Sequence, residues 1–313
     1  MSWSEADIPD QSGRVAVVTG ANGGLGLATA RALAANGANV VMASRNMDKA
    51  KQAEQAILEE TPDAHVDVRS LDLASLASVW GFSADVNADY EAIDLLINNA
   101  GVMGTAQMKT ADGFDLQFGT NHLGHFALTA YLMPALLHAQ MGRVVTVTST
   151  ARYIRGKLDP DDPHMRKDYQ PWKMYGMSKA SNLQFAVELN NRLAAASAPV
   201  VSLAADPGFT NSDLQKESAR LNPGDAQSKF YARAVPLVGM DPSRGALSQL
   251  RAATDREAGG GELYAPRWVS NGPPVHRGIS SRLLDPDELA QLWEISERET
   301  GVEFDVAGTV RDA

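Results

Sequence analysis

The chain has 313 residues, 44% of them hydrophobic, carries a formal net charge of −10 and contains no cysteine. This length and apolar content suffice for one large core, while the charge argues against nucleic acid or an anionic membrane as partner and leaves room only for a local basic pocket. Without cysteine there is no disulfide framework, thiol nucleophile or thiolate metal site, which fits a reducing compartment.

Residues 1–13 are polar and acidic and do not read as a secretory leader. No apolar run is long enough to span a bilayer, so the expectation is a cytoplasmic protein without a membrane span. Arg14 to Thr19 is a short apolar strand, followed by the turn Thr19-Gly20-Ala21-Asn22-Gly23-Gly24-Leu25-Gly26 and an alanine-rich helix from Leu25 to Asn36 that Gly37 ends. Val40 to Ala43 predicts a strand, Asn46 to Glu60 a helix with a charged outer face, Val66 to Leu71 a strand and Leu73 to Asn87 a helix. Ile93 to Ile97, Arg143 to Thr148 and Val200 to Ala204 are further β-branched strands, with helices over Phe118 to Ala139 and Tyr175 to Ala196 between them. The alternation predicts an α/β fold: a single domain over 1–313 with a doubly wound, mostly parallel sheet of about seven strands and helices on both faces.

Three polar or Gly/Pro-bearing stretches interrupt this rhythm: Arg152 to Lys173, Ser212 to Val238 and Gly259 to Ser281. Loops this long inside a compact fold belong to a site or a lid. Residues 212–238 are therefore expected to form a substrate-lid insert, and 259–313 a C-terminal extension. Leu214, Leu221, Phe230, Tyr231 and Leu237 either line that lid or pack against the domain, and both readings stand.

Three features carry chemistry. Glycines at 20, 24 and 26 let the backbone turn tightly and approach a pyrophosphate at the N-terminus of the next helix. At the end of the second strand stands Ser44, with Arg45 and Asn46 after it, where a carboxylate would hold the ribose hydroxyl of NAD; a guanidinium suits the 2′-phosphate of NADP. Tyr175 and Lys179 are four residues apart, hence neighbours on one helix face, where an ammonium can lower the pKa of a phenol toward that of a working general acid or base. His122 and His125, three apart, have no third ligand near in sequence, so helix packing is preferred to a metal and no metal site is expected.

Taken in order, these motifs resemble the short-chain dehydrogenase/reductases over nearly the whole chain, and the resemblance implies a Rossmann-type fold. The glycine loop is similar to the TGxxxGxG of the shorter branch of that superfamily, which sets Gly20, Asn22, Gly23, Gly24, Leu25 and Gly26 against the cofactor. Asp72, with Leu73, matches the residue that contacts the adenine, and Asn98-Asn99-Ala100-Gly101 matches the NNAG segment, whose Asn99, Ala100 and Gly101 face the cofactor. Pro207, Gly208 and Thr210 match the segment that meets the nicotinamide carboxamide. Asn121 matches the asparagine that holds a proton-relay water, and Ser149 the catalytic serine, although Thr148 and Thr150 flank it where the family commonly has paired serines. The glycine loop, Ser44-Arg45-Asn46, Asn121-His122-Leu123-Gly124-His125-Phe126 and the Tyr175/Ser178/Lys179 group are most similar to the retinol-dehydrogenase-like and WW-domain-oxidoreductase-like group.

The resemblance implies an oxidoreductase that transfers a hydride between NADP(H) and a lipophilic alcohol or carbonyl. Tyr175 would donate or accept the proton, Lys179 would lower the phenol's pKa and hold the nicotinamide ribose, and Ser149 would hydrogen-bond the reacting oxygen. No basic residue precedes Gly24, so Arg45 carries the NADP preference. Two alternatives stay open: the same chemistry with NAD(H), and a non-catalytic dinucleotide-binding sensor. The resemblance also points to a homodimer or homotetramer through the helices bearing Asn121 and Tyr175, with a monomer as the alternative.

Overall fold

The computed structural model describes residues 2–156 and 158–312, apart from the side chains of Pro236, Leu237 and Asp312. The first half alternates without exception: β1 (Val15–Thr19), α1 (Gly24–Ala35), β2 (Asn39–Ser44), α2 (Met47–Glu60), β3 (His65–Ser70), α3 (Leu76–Asp89) and β4 (Leu95–Asn98). A short α4 (Leu116–Phe118) runs through a π-turn, Gly119–Leu123, into α5 (Gly124–Leu137), and β5 (Gly142–Val147) follows. The second half holds α6 (Pro171–Ala195), β6 (Val200–Ala205), α7 (Asp213–Leu221), α8 (Ala226–Val238), α9 (Pro242–Thr254), β7 (Leu263–Pro266), β8 (Pro274–Arg277), α10 (Pro286–Thr300) and α11 (Val306–Asp312).

The strands form one eight-stranded sheet in the order β3-β2-β1-β4-β5-β6-β7-β8. All neighbours are parallel except the β7–β8 pair. The chain builds outward from β1 to β3, then returns to lay β4 beside β1, so the order reverses between those two strands, and that is where such sheets open a crevice at their carboxyl ends.

Successive side chains of a strand point to opposite faces, and the core divides accordingly. Val17, Val41, Leu96 and Val144 pack with Phe82, Leu132 and Phe185 on the face covered by α3, α5 and α6. Their neighbours Val18, Val40, Ile97 and Val145 pack with Leu33, Ile57 and Leu250 on the face of α1, α2 and α9. Both faces are dry, which is why these strands read as continuous apolar runs.

The structure departs from expectation in three places. The sheet has eight strands and not about seven, because the Gly/Pro-rich stretch from 259 holds β7 and β8, each four residues long. Proline stands at the end of β7 (Pro266) and the start of β8 (Pro274), positions where its missing N–H is tolerated. The expected helix from Leu73 starts only at Leu76, since Ser75 caps it by accepting from Ser78 N. The expected helix from Phe118 to Ala139 is interrupted by the π-turn at Asn121. The residues after 259 also supply α10 and α11, which lie against α5 and α6. There Trp293 meets the rings of Phe126, Phe185 and Phe304 at 5.1–6.0 Å, and the Arg192 guanidinium lies 4.1 Å over its ring.

Candidate active site

The carboxyl ends of the strands around the β1–β4 reversal open into a cleft of about 840 Å³, lined along its length by all the residues assigned above to a cofactor and by Ser149, Tyr175 and Lys179. Asn121 is not among the lining residues.

At one end the glycine loop leaves β1 and starts α1. Gly20 and Gly24 have φ of 67° and 51°, the left-handed region that favours glycine. A Cβ on Gly26 would run into the Gly20 carbonyl and the Asn99 side chain, so α1 can begin this close to β1 only with glycine there. Thr19 fixes the facing segment: its hydroxyl accepts from the backbone N–H of Asn99 and Ala100, both at 2.9 Å, while Asn99 Nδ2 donates to the Thr19 carbonyl at 2.8 Å. The free amides at the start of α1, with its dipole, make a cradle for an anion.

The end of β2 presents Arg45 and Asn46, both exposed, and Ser44, which is buried with a hydroxyl that has no partner among the described residues. A buried, unpaired hydroxyl inside a polar cleft is a place for a ligand's hydrogen bond. Together with the glycine cradle it makes this end fit a dinucleotide. Asn46 Oδ1 caps α2 by accepting from Lys49 N at 3.0 Å, which sets Lys49 one turn beyond Arg45 on the same wall of the cleft. Lys49 escaped the sequence reading; its signal was the spacing of one helical turn from Arg45. Across the cleft stands α7, whose Asp213 lies 3.8 Å from Lys49 Nζ. Glu217 is held below the usual carboxylate range, chiefly by Arg220, with smaller contributions from Arg45 and Lys49. The insert thus presents acid to the two basic residues.

At the other end, Ser149 follows β5 and caps a short 3-10 turn, Thr150–Ile154, accepting from Ala151 N at 3.2 Å. Ser149 and the Tyr175 phenol line the same cleft, and Ser149 acts to lower the phenol's pKa. Thr148 Oγ donates instead to the Lys179 carbonyl at 2.6 Å, and Thr150 is exposed, so of the three hydroxyl residues here Ser149 is the one at the phenol. Burial pushes the Tyr175 phenol well above the usual tyrosine value; Ser149 works against this and Asp206 adds to it. Lys179 is buried with its Nζ donating to the Val147 carbonyl at 3.1 Å. Burial lowers its ammonium to about 8, opposed by Asp206.

Asn121 is fully buried at the π-turn, where its side chain accepts from Val102 N (2.8 Å) and donates to Val102 O (2.9 Å) and to Ser178 Oγ (2.9 Å). The turn aims it across the helix at the strand-end loop beyond Gly101, a common use of a π-turn. His125 Nδ1 meets the Asn121 carbonyl at 2.9 Å and its Nε2 meets Thr19 Oγ at 2.9 Å. Because the Asn121 carbonyl can only accept, His125 Nδ1 carries the proton, and in the neutral ring Nε2 is left to accept from Thr19 Oγ. His122 Nε2 pairs with Ser296 Oγ at 2.8 Å. Both histidines are occupied in packing.

The insert after Thr210 forms α7 and α8 along the cleft. Leu214 and Tyr231 line it, Leu221 is half-buried, Phe230 is exposed, and the side chain of Leu237 lies outside the described residues. Trp172, one turn before Tyr175, donates from its indole to Asp225, the cap of α8, at 3.0 Å, and its ring stands 5.2 Å from Tyr231 and 6.2 Å from Tyr175. The Tyr175 end of the cleft therefore has an aromatic wall.

Residues 14–222 match the family model for short chain dehydrogenases. A short-chain dehydrogenase/reductase of Armillaria gallica is 39% identical over 303 residues, covering 93% of this chain and 92% of that protein. Retinol dehydrogenase 12 of Mus musculus is 35% identical, covering 94% of this chain and 88% of its own length. A crystal structure of an uncharacterised protein from Mycobacterium paratuberculosis is 39% identical and superimposes with a TM-score of 0.79 over 97% of this chain and 99% of that one.

Proposed function

This chain belongs to the short-chain dehydrogenase family, in its retinol-dehydrogenase-like group, and is an oxidoreductase; from that premise we propose that it moves a hydride between NADP(H) and a lipophilic alcohol or its carbonyl. The observation that carries the reading is that Ser149, Tyr175 and Lys179 line one cleft together with the glycine loop.

A nicotinamide dinucleotide bound in the cleft supplies or takes the hydride. Tyr175, which burial keeps protonated, gives its proton to the carbonyl oxygen in reduction and takes it back in oxidation. Ser149 hydrogen-bonds the same oxygen as charge develops on it. Lys179, an ammonium held by Val147 O, binds the nicotinamide ribose. Asn121 fixes the Val102 backbone and supports a proton path beyond it. Arg45 and Lys49 supply the positive charge that a 2′-phosphate requires, and Gly20 to Gly26 hold the pyrophosphate. The aromatic wall of Trp172 and Tyr231, with α7 and α8 as the lid, favours a lipophilic substrate; the name of one relative, a retinol dehydrogenase, supports the same class.

NAD(H) is the second reading, favoured by the exposure of Arg45 and by the unpaired Ser44 hydroxyl, which suits a free ribose. Titration of NADPH and NADH, followed by nicotinamide fluorescence, separates them. Tighter NADPH binding that Arg45→Asp weakens at least about ten-fold, the worth of one charge-assisted contact, supports NADP(H). Equal affinities untouched by the substitution favour NAD(H), and no binding of either removes the enzyme reading.

A further inference from the structure

An ion pair that the proton-transfer scheme does not use lies at the end of β6, where Ala205, just before Asp206, pairs with Val147, the residue whose carbonyl holds Lys179 Nζ. Arg152, in the 3-10 turn after Ser149, is 5% exposed, and Asp206, at the end of β6, is 1% exposed. Arg152 Nη1 donates to Asp206 Oδ2 at 2.5 Å, while Asp206 Oδ1 accepts from Gly208 N at 2.9 Å. One carboxylate thus joins the turn that carries Ser149 to the turn that carries Pro207 and Gly208. The guanidinium is fixed further by the Tyr153 ring, 4.6 Å from its centre, and by the Tyr153 hydroxyl at 3.3 Å; its Nε has no partner among the described residues.

We propose that Arg152 is a positioning residue of the reaction, neutralising Asp206 near the Tyr175–Lys179 pair and tying the Ser149 turn to the Asp206-Pro207-Gly208 turn; this rests on the hydride-transfer reading of the same site. A buried carboxylate without a counter-charge disfavours a phenolate nearby and favours an ammonium. Both effects of Asp206 are felt here, on Tyr175 and on Lys179. Among the described residues, the charged and titratable groups that act on the pair are Asp206 at the end of β6, itself paired with Arg152 of the 3-10 turn, and the neutral His125 from α5, which faces Lys179. The lid's Asp213, Glu217 and Arg220 stand at the Arg45 end of the cleft. Arg152 is thus the cation set against the Asp206 field, and it lets oxidation, which needs Tyr175 as a base, proceed at a lower pH.

The test compares Arg152→Gln, Arg152→Lys and the double variant Arg152→Gln/Asp206→Asn by two readouts. One is tyrosinate difference absorbance against pH, with Tyr175→Phe as the blank; the other is the pH profile of alcohol oxidation. Arg152→Gln is expected to move the Tyr175 midpoint and the rising, acid-side limb of the oxidation profile upward by about one pH unit, or about ten-fold in rate on the limb. Arg152→Lys, which keeps the charge, and the double variant, which removes both charges, are expected to stay near the parent. The proposal is overturned if Arg152→Gln leaves the midpoint in place, or if the other two shift as far as it does, the mark of a purely structural role. If Arg152→Gln does not fold, Asp206→Asn decides: it is expected to lower the midpoint, and an unmoved one overturns the proposal. A shifted midpoint in a protein that turns over no carbonyl or alcohol removes the proposed function and leaves the electrostatic pairing standing.

Discussion

Tyr175 owes its protonation to burial: a phenol kept protonated in the cleft beside Ser149 suits the proposed role of proton donor. Tyr175→Phe keeps the ring's packing and is expected to keep nicotinamide binding while lowering turnover at least about 10²-fold, the usual worth of a general acid; unchanged rates would remove Tyr175 as the donor. Gly26 is constrained in the opposite way, by space. Gly26→Ala is expected to lose about 1–3 kcal/mol of stability and to weaken NADPH binding, because the added carbon meets the Gly20 carbonyl; a variant with the parent's Tm would show that the loop gives way freely. The position of Tyr175, Lys179 and the glycines could be read from the chain because helix and turn spacing are local. The direction of the phenol's pKa could not, since it depends on Asp206 and on burial.

Among the elements, α10 and α11 are bound most closely to α5 and α6. Trp293 is 3% exposed among three phenylalanines, so Trp293→Ala is expected to destabilise the fold by about 3–5 kcal/mol, read as a fall in the urea midpoint. A loss below about 1 kcal/mol would mean that α10 is not part of the cooperative core. The alternating first half of the fold was legible because β1, β2 and β4 are apolar runs buried on both faces, while the edge strand β3 alternates polar and apolar residues. The strands β7 and β8 were not, being four residues each with proline at their ends, and the break at Asn121 was not, because a π-turn leaves no mark in hydrophobic spacing. The face where resemblance sets a partner copy carries α10 and α11 here, a packing that spacing within α5 and α6 cannot announce.

For the whole molecule, buried histidines set the response to acid. Burial lowers His122 to about 3 and His125 to about 4 from an ordinary 6.5. The unfolded chain therefore binds protons that the folded chain refuses, so stability is complete above about pH 6.5 and declines as pH falls toward 4, by up to about 1.4 kcal/mol per pH unit per histidine. Asp115, raised to about 6 by burial, opposes this with one proton of its own, leaving a net loss on the acid side. The urea midpoint is expected to be lower at pH 5 than at pH 7, with a smaller difference in His122→Gln; an equal or higher midpoint at pH 5 would contradict the burial of both rings.

The seal formed by α10 and α11 also fixes an order of events during synthesis. Phe126 and Phe185 leave the ribosome well before Trp293 and Phe304, the rings that cover them. At ~5–20 residues per second the nascent chain carries that open aromatic seam for on the order of ten seconds or more. During that interval the first half can already have paired its strands, yet it presents a sticky face to every neighbouring chain. Translation speed and chaperone supply over the segment between β6 and α10 would therefore govern the yield of this protein more than anything in its active site.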